Sequence, residues 1–313
     1  MPAVSASAPG KIILFGEHAV VYGRPAIAVP VTQVRAKAAV TADPRGAPGQ
    51  VRIIAKDIDL DVELDDLPQD HPLAQAVNGV AEMLKIERLP ALRLQISSTI
   101  PIASGLGSGA AVSTAIARGL SAFMGHPLTD DQVSYIAFRV DQKYHGTPSG
   151  IDNMVIAYAQ PVFFMRGMPF KRLCAAKPFT VVIGNTGISS PTSETVGDVR
   201  RQWQKDPQGY EQLFDQIGEL AMQARDAIES GNVETIGPLM SRNHALLQTL
   251  NVSSLELDRL TTAALDAGSG GAKLCGGGRG GNMICLTSPE RAPEIAQALT
   301  QAGAVSTIVT TIR

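Results

Sequence analysis

The stretch PIASGLGSGAAVSTAI, residues 101–116, places a loop of glycine and serine directly before a helical pattern. Apolar residues recur at helical spacing from Val112 to Phe123, and Gly125 is placed to end the helix. The first amides of a helix have no intrahelical partner, and the helix dipole favours negative charge there. The stretch therefore indicates either a polyphosphate site or a tight turn between two elements. It lacks the GK[ST] ending of a Walker loop.

Runs of strand and helix pattern on both sides of this stretch predict an α+β chain of two domains that meet near residues 170–178. A capping box from Thr129 to Gln132 predicts one helix, and an amphipathic pattern predicts a long helix over 210–229. Ser253 with Glu256 marks a further helix start. The predicted strands are 11–16, 51–57, 59–64, 92–98, 179–185, 272–275, 283–288 and 305–312.

Length, charge and cysteine content limit the classes of function. The chain has 313 residues, enough for one large or two ordinary domains, and its 27 Lys and Arg nearly balance its 29 Asp and Glu. Without a basic patch we expect no nucleic acid partner, and without a long apolar run we expect no membrane partner. The three cysteines lack zinc-ligand spacing and no secretory signal pattern is present, so we expect a soluble cytoplasmic protein.

A second glycine-rich loop, GGAKLCGGGRGGN at 270–282, contains a formal G-x-G-x-x-G pattern at Gly276, Gly278 and Gly281. A dinucleotide-binding fingerprint requires a helix after its glycines, whereas the residues that follow here have a strand pattern. One interpretation is a hairpin loop. The other is a ligand gripped between two domains by two glycine-rich loops.

The segment SAPGKIILFGEHAVVYG, residues 7–23, carries three polar residues with two interpretations each. Lys11 opens an apolar strand, where it is either solvated or offers a fixed positive charge to phosphate or to an activated hydroxyl. Glu17 and His18 are either ordinary turn residues or hydrogen-bonding partners of a small polar substrate.

The segment VDQKYHGTPSGIDN, residues 140–153, carries two aspartates. Asp152 follows a glycine-rich turn and is either a helix cap or a functional carboxylate. Asp141 lies near the end of a predicted helix, where an acid opposes the helix dipole. Either Lys143 or a metal ion is expected to compensate its charge.

Taken together, four segments resemble the GHMP kinase superfamily, and they occur in the order in which that superfamily has them. They are APGKIILFGEHAVVYGRPAIA at 8–28, PIASGLGSGAA at 101–111, HGTPSGIDN at 145–153 and GAKLCGGGRGGN at 271–282. GEHAVVYG and HGTPSGID resemble the branch that phosphorylates mevalonate, since the sugar kinases of the superfamily continue differently after the glutamate and histidine.

This resemblance implies an α+β fold of two domains. Residues 1–175 would form a domain like ribosomal protein S5 domain 2, with the phosphate loop, and residues 176–313 would form a ferredoxin-like domain. ATP would lie in the cleft between them. The implied activity is ATP-dependent transfer of a phosphoryl group to an alcohol acceptor, with Mg²⁺ as cofactor: (R)-mevalonate would become 5-phosphomevalonate, in isoprenoid biosynthesis.

The resemblance also implies roles for individual residues. Asp152 would accept or orient the proton of the mevalonate 5-hydroxyl, and Lys11 would stabilise the charge that develops on the alkoxide and phosphoryl group. The substrate-binding residues would be Glu17, His18, Ser149 and Thr192, the last near the reacting phosphate. The residues that bind the ATP phosphates would be Ser104, Gly105, Leu106, Gly107, Ser108, Gly109, Ala110, Gly277 and Gly278.

Three residues depart from the superfamily pattern. The phosphate loop usually reads GLGSSAA, and its second serine, a magnesium ligand, is Gly109 here. The metal-binding glutamate is Asp141 here, one methylene shorter. Either Asp141, phosphates and water hold the ion, or Ser108 or Ser104 substitutes. Arg279 stands where glycine is usual, and it either adds charge near the phosphates or points to solvent.

Alternative functions come from three classes. The nearest is another GHMP kinase that acts on a related small alcohol or phosphorylated acid, such as phosphomevalonate. A non-catalytic ATP-binding regulator would explain the altered metal site, although retention of Lys11 and Asp152 argues against it. A serine hydrolase using Ser108, Asp152 and His145 lacks the G-x-S-x-G motif, because Leu106 stands in the place of its first glycine. The expected partners are ATP and mevalonate, with a homodimer as a further possibility.

Overall fold

The computed structural model describes residues 3–101, 104–145, 149–190 and 192–313, except for the side chains of 144 and 145. The chain forms two compact units. Unit 1 comprises Met1–Gly10, Val34–Ile102 and Gly107–Ala159, and unit 2 comprises Lys11–Gln33, Ala103–Leu106 and Gln160–Arg313. Each unit is therefore built from three separate stretches of sequence. The boundary expected at 175/176 remains a prediction.

The strands are β1 Ala3–Phe15, β2 Ala26–Ala42, β3 Val51–Ala55, β4 Leu60–Glu63, β5 Leu92–Ser98, β6 Val162–Phe164, β7 Lys171–Arg172, β8 Phe179–Asn185, β9 Gly271–Cys275, β10 Asn282–Thr287 and β11 Ser306–Ile312. The α-helices are α1 Pro72–Leu84, α2 Ser108–Phe123, α3 Asp130–His145, α4 Ile151–Tyr158, α5 Thr192–Lys205, α6 Pro207–Ser230, α7 Val233–Thr249, α8 Leu255–Asp266 and α9 Ala292–Gln301. Short 3-10 turns occupy Ala19–Tyr22, Lys56–Ile58 and Leu64–Asp66.

Unit 1 packs helices α1 to α4 with a mixed sheet. Its strands lie in the order β4, β3, β5 and the second half of β2, in which β3 and β5 are parallel and the other pairs are antiparallel. The register between β2 and β5 runs from Ala36 opposite Ser98 to Ala42 opposite Leu92. Asn153 of α4 donates from Nδ2 to the hydroxyl of Ser134 in α3, at 2.8 Å, and this buried bond fixes the start of α4 against α3.

Unit 2 contains an antiparallel sheet with the strand order β11, β8, β10 and β9 in the described part of the chain. In sequence, α5 to α8 follow β8, the hairpin of β9 and β10 comes next, and α9 precedes β11. This βαββαβ arrangement confirms the ferredoxin-like prediction. Apolar side chains from the sheet and helices form the core of this unit, among them Val182, Phe214, Leu247, Leu274, Met283 and Ile295.

The local predictions can be compared with these elements one by one. The capping box is confirmed, because the amide of Gln132 donates to Thr129 Oγ1 and the Thr129 amide donates to Gln132 Oε1. The helix predicted over 210–229 is α6. The helix start predicted at Ser253 is wrong by one residue: Ser254 is the N-cap of α8 and accepts from the Leu257 amide. None of the described helices is both long and apolar enough to span a membrane.

Candidate active site

Lys11 lies within β1, not at its edge. Its side chain is 6% exposed, so the solvated interpretation of this lysine is wrong. The Lys11 amide donates to the carbonyl of Leu106 at 2.9 Å, which ties β1 to the first glycine-rich loop. Asn282 of β10 ties the same loop from another element, because its Nδ2 donates to the Ser104 carbonyl at 2.5 Å. The sequence did not indicate this role for Asn282.

The first glycine-rich loop leads into α2 through two residues with left-handed backbone, Gly105 at φ +78° and Gly107 at φ +76°. Gly107 is the N-cap of α2, and its conformation is one that glycine adopts without steric cost. The amide of Ala111 donates to the Gly107 carbonyl, at 2.9 Å. The amides of Ser108, Gly109 and Ala110 precede this first helical bond, and they form the part of the helix that attracts anions.

Gly109 and Asp141 lie next to each other in unit 1. A Cβ at position 109 would be 3.9 Å from Asp141 Oδ1, the one contact that it would make among the described residues outside its own helix backbone. A serine at this position would therefore lie beside the carboxylate. Lys143 donates to Gln75 Oε1 at 2.5 Å. Asp141 thus lies beside position 109, where the superfamily pattern has a serine.

Asp152 lies in the first turn of α4, and Gly150 at φ +88° is the N-cap of that helix. The cap interpretation of Asp152 is therefore wrong. Ser149 precedes the helix, and the Ile151 amide donates to its hydroxyl at 3.4 Å. Residues 146–148 of the HGTPSGIDN motif, and the side chain of His145, lie outside the described residues.

Glu17 and His18 form a tight turn after β1. The Ala19 amide donates to the Glu17 carbonyl at 2.6 Å, and His18 has φ +60° and ψ −49°. This is the γ-turn with positive φ, which is rare and strained. His18 is buried, and its Nε2 lies 3.1 Å from the carbonyl oxygen of Gly277. A strained residue of this kind persists only where its surroundings determine its position.

The Glu17 carboxylate is buried and bonded through both oxygens. Lys273 of β9 pairs with Oε1, and Asn243 of α7 donates from Nδ2 to Oε2 at 3.1 Å. The Lys273 side chain is 0% exposed and that of Glu17 is 1% exposed. Sequence reasoning missed this pair. The signal available was a lysine in the middle of an otherwise apolar strand, GAKLC, at 271–275.

Burial lowers the pKa of His18 from 6.5 to about 4, although the Gly277 carbonyl opposes the shift and Arg279 adds to it. His18 is therefore neutral near pH 7. The unfolded chain binds this proton between pH 6.5 and 4 while the folded chain does not, so the free energy of unfolding falls as the pH is lowered through that window.

We expect acidification from pH 7.5 to pH 5 to cost the wild-type protein about 2 kcal/mol more free energy of unfolding than it costs His18→Gln. Urea unfolding at the two pH values measures the difference. His244, whose pKa burial also lowers, contributes equally to both proteins. His126→Gln, at an exposed position, is the matched control. If the free energy of unfolding depended on pH equally in the wild type and in His18→Gln, the lowered pKa would not belong to His18.

The second glycine-rich loop is the hairpin between β9 and β10, so its predicted hairpin geometry is confirmed. A strand and not a helix follows its glycines, so the loop does not have the geometry of a dinucleotide-binding fingerprint. Gly278 has φ +79°, and a Cβ there would lie 1.9 Å from the Val252 carbonyl oxygen. Gly277 faces Thr192, the first residue of α5: a Cβ at 277 would lie 2.7 Å from Thr192 Oγ1. The structure thus brings Gly277, His18 and Thr192 together in unit 2.

The side chain of Arg279 is held by two partners and does not simply point to solvent. Its guanidinium pairs with Asp198 of α5, and its Nη2 donates to the Asn251 carbonyl at 3.2 Å. Its backbone is left-handed, with φ +55°, the region that favours glycine. The expectation of free solvation for Arg279 is therefore wrong, because its side chain links the glycine-rich hairpin to α5. The alternative, that it adds charge near the phosphates, remains a prediction.

The predicted residues fall into two groups, one in each unit. Unit 1 holds Gly107, Ser108, Gly109, Ala110, Asp141, Ser149 and Asp152, and unit 2 holds Lys11, Glu17, His18, Ser104, Gly105, Leu106, Thr192, Gly277 and Gly278. The first group combines a free helix start with carboxylates. The second combines a buried lysine, a neutral imidazole and a glycine-rich hairpin. These are groups that bind phosphate and a small polar molecule.

Comparison with known proteins matches the same regions. The model of the GHMP kinases N terminal domain matches residues 73–160, and that of the GHMP kinases C terminal matches residues 224–305. Mevalonate kinase from Thermococcus sibiricus is 35% identical over 99% of this chain and 96% of its own length. The crystal structure of L. major mevalonate kinase in complex with R-mevalonate superimposes with a TM-score of 0.83, at 29% identity, over 99% of this chain and 95% of that one.

A phosphomevalonate kinase from Streptococcus pneumoniae, solved with phosphomevalonate and AMPPNP, has the same fold, with a TM-score of 0.82 over 99% of this chain and all of that one. Its sequence identity to this chain is 17%, however. The fold is thus shared with a kinase of a different substrate, whereas the mevalonate kinases of Thermococcus sibiricus and Thermococcus gammatolerans are each 35% identical, over 99% and 96% of this chain.

Proposed function

Because this chain belongs to the GHMP kinase family, and within it to the mevalonate kinases, we propose that it transfers the γ-phosphoryl group of ATP to the 5-hydroxyl of (R)-mevalonate. The observation that carries the proposal is the similarity to mevalonate kinases along 99% of the chain. The hydroxyl oxygen attacks the γ-phosphorus while the bond to the bridging β–γ oxygen breaks. The products are 5-phosphomevalonate, ADP and the hydroxyl proton.

We assign the nucleotide phosphates to the start of α2 and to the glycine-rich hairpin. The amides of Ser108, Gly109 and Ala110 offer donors and the positive end of a helix dipole, and Gly105 and Gly107 leave room for close approach. Gly277 and Gly278 present backbone without side chains. Phosphoryl transfer has a loose transition state, so the protein mainly positions groups and neutralises charge.

We assign proton transfer to Asp152 and charge stabilisation to Lys11. The Asp152 carboxylate, at the start of α4, accepts the proton of the attacking hydroxyl. Lys11 is buried, and a cation in a site of low dielectric interacts more strongly with developing negative charge than one in water. His18, Ser149 and Thr192 are proposed to bind mevalonate, with Glu17 beside them.

Magnesium is proposed as the cofactor, and the residues near Gly109 fit it in part. Asp141 would supply one hard oxygen ligand and Ser108 a second, with Ser104 as the alternative. Mg²⁺ prefers one or two protein oxygens besides phosphates and water, so the loss of a serine at 109 is compatible with binding. When bound, the ion would neutralise charge on the ATP phosphates.

Restoring a serine next to Asp141 is expected to tighten magnesium binding. Gly109→Ser adds a side chain whose Cβ would lie 3.9 Å from Asp141 Oδ1, and one added ligand is expected to lower the half-saturating Mg²⁺ concentration roughly 3- to 10-fold. Calorimetry of ADP binding at graded Mg²⁺ measures this without turnover, and Ser113→Ala within α2 serves as control. A magnesium titration unchanged by both Gly109→Ser and Asp141→Ala would remove this position from the metal site.

A substrate panel tests the proposed function. Purified protein with ATP and magnesium is given mevalonate, phosphomevalonate and galactose in parallel, and ADP release is measured. We expect turnover with mevalonate alone. A preference for phosphomevalonate would transfer the assignment to the nearest alternative, and ATP binding without turnover of any substrate would favour a regulator. We further propose that the enzyme works in the cytoplasm, and gel filtration with light scattering tests a homodimer.

A further inference from the structure

The buried ion pair of Glu17 and Lys273 lies beside the proposed substrate residue His18, and the proposed mechanism does not use Lys273. We propose that Lys273 is a positioning residue for mevalonate: through its ion pair with Glu17 it holds the strained turn that presents His18. The inference rests on the proposed function and refines it, since Glu17 then acts through His18 instead of touching the substrate.

Two side chains hold the Glu17 carboxylate in place. Lys273 occupies Oε1 and Asn243 occupies Oε2, and with a side chain only 1% exposed the carboxylate is directed into unit 2. Lys273 also donates to the Leu274 carbonyl at 2.6 Å, which fixes its ammonium group on β9. Glu17 is thus anchored from a strand and from a helix at once.

The backbone conformation of His18 requires support from its neighbours. Its φ of +60° is unfavourable for a residue with a side chain, so some external contact must hold it. The chain before it is fixed by the Glu17 anchor, and the imidazole after it is fixed by the carbonyl of Gly277. Lys273 and Gly277 belong to the same β9–β10 hairpin region. The ion pair of Glu17 and Lys273 therefore determines where the His18 imidazole lies relative to the glycine-rich hairpin.

The energetics favour positioning over simple stability. Removing two charges from water is costly, and well-packed apolar side chains of the same volume usually stabilise a core as well or better. An ion pair this deeply buried is expected where it fixes one arrangement of the chain. Asn243 fits the same reading: its amide donates to Glu17 although its own Oδ1 is buried without a hydrogen-bond partner in the described residues.

Three variants distinguish a positioning role of the ion pair from a purely stabilising one. They are Lys273→Met, Glu17→Gln and the double variant that carries both changes. Lys273→Met leaves the carboxylate buried without its cation, and a lower Tm is expected. The double variant removes both charges, and its Tm is expected to recover toward that of the wild type. For mevalonate we expect kcat/KM to fall roughly 10- to 100-fold in all three, as for a misplaced binding group. The KM for ATP should stay within about threefold.

Recovery of both Tm and mevalonate kcat/KM in the double variant would show a merely structural pair and overturn the proposal. Cys285→Ser is the matched control, since it perturbs the buried centre of the same sheet, where Cys285 lies opposite Ala272 and donates from Sγ to the Val182 carbonyl. It should lower Tm and leave the KM for mevalonate unchanged.

A readout without turnover distinguishes this proposal from the proposed function. In protein labelled with ¹³C-histidine, the His18 resonance is assigned by its loss in His18→Gln. It should shift in Lys273→Met and in the double variant, and it should stay unchanged in Cys285→Ser. A His18 resonance identical to that of the wild type in both Lys273 variants overturns the positioning role. If the wild type does not turn over mevalonate but the His18 resonance still shifts in the Lys273 variants, only the proposed substrate is wrong. The positioning of His18 by Lys273 would then stand.

Discussion

Asp152→Asn is expected to lower kcat for mevalonate phosphorylation roughly 10³- to 10⁴-fold, since a general base contributes up to about that factor. The amide keeps the size of the side chain in the first turn of α4 but cannot accept the hydroxyl proton at neutral pH. The affinity for ATP should change by less than about threefold, because the variant removes an interaction needed in the transition state. Steady-state kinetics and nucleotide calorimetry measure the two quantities.

The control for Asp152→Asn is Glu256→Gln, which also removes a carboxylate from the first turn of a helix, α8, but changes none of the proposed site residues. It should match the wild type in kcat. A loss of activity of less than about tenfold in Asp152→Asn would remove this aspartate from the role of base.

Lys11→Met is expected to lower kcat roughly 10²- to 10³-fold, the usual effect of losing one group that stabilises transition-state charge. Methionine fills a similar volume within β1, so packing around the buried stem should be largely preserved. The KM for mevalonate should change much less than kcat. Measuring kcat together with Tm separates loss of charge from loss of fold.

Lys37→Met is the matched control for Lys11→Met, because Lys37 is an exposed lysine on β2. Its kinetics should be those of the wild type. Retention of most of the activity by Lys11→Met, at an unchanged Tm, would show that the positive charge at this position does not take part in phosphoryl transfer.

Residue patterns predicted those parts of the fold in which local and tertiary preferences agree. The helix after the first glycine-rich loop and the strands β5 and β8 follow from periodicity and residue type, whereas the ferredoxin-like order was implied by the resemblance to the superfamily. In contrast, β2 was not predicted although it spans Ala26–Ala42. Its alanines and Pro30 have poor strand propensity, and pairing with β5 and β6 decides its conformation.

Sequence motifs likewise predicted some residues of the candidate site and missed others. Motifs identified Lys11, His18 and Asp152 because a residue type and its spacing carry the signal. They did not identify Lys273 as the partner of Glu17, or Asp198 as the partner of Arg279, because each pair joins residues far apart in sequence. Only the folded chain brings such partners together.

Unit 2 is assembled from three separate stretches of sequence, and residues 11–33 are the first of them. They pack against the C-terminal stretch although they are far from it in sequence. They supply Tyr22, whose ring stacks on Phe214 at 4.1 Å, and Glu17, the counter-ion of Lys273. A fragment beginning at residue 176 would expose one apolar ring and bury one uncompensated ammonium group. A cut at residue 176 would therefore separate residues 11–33 from the unit that they complete, and we expect the C-terminal fragment to be less stable alone than with the N-terminal fragment present.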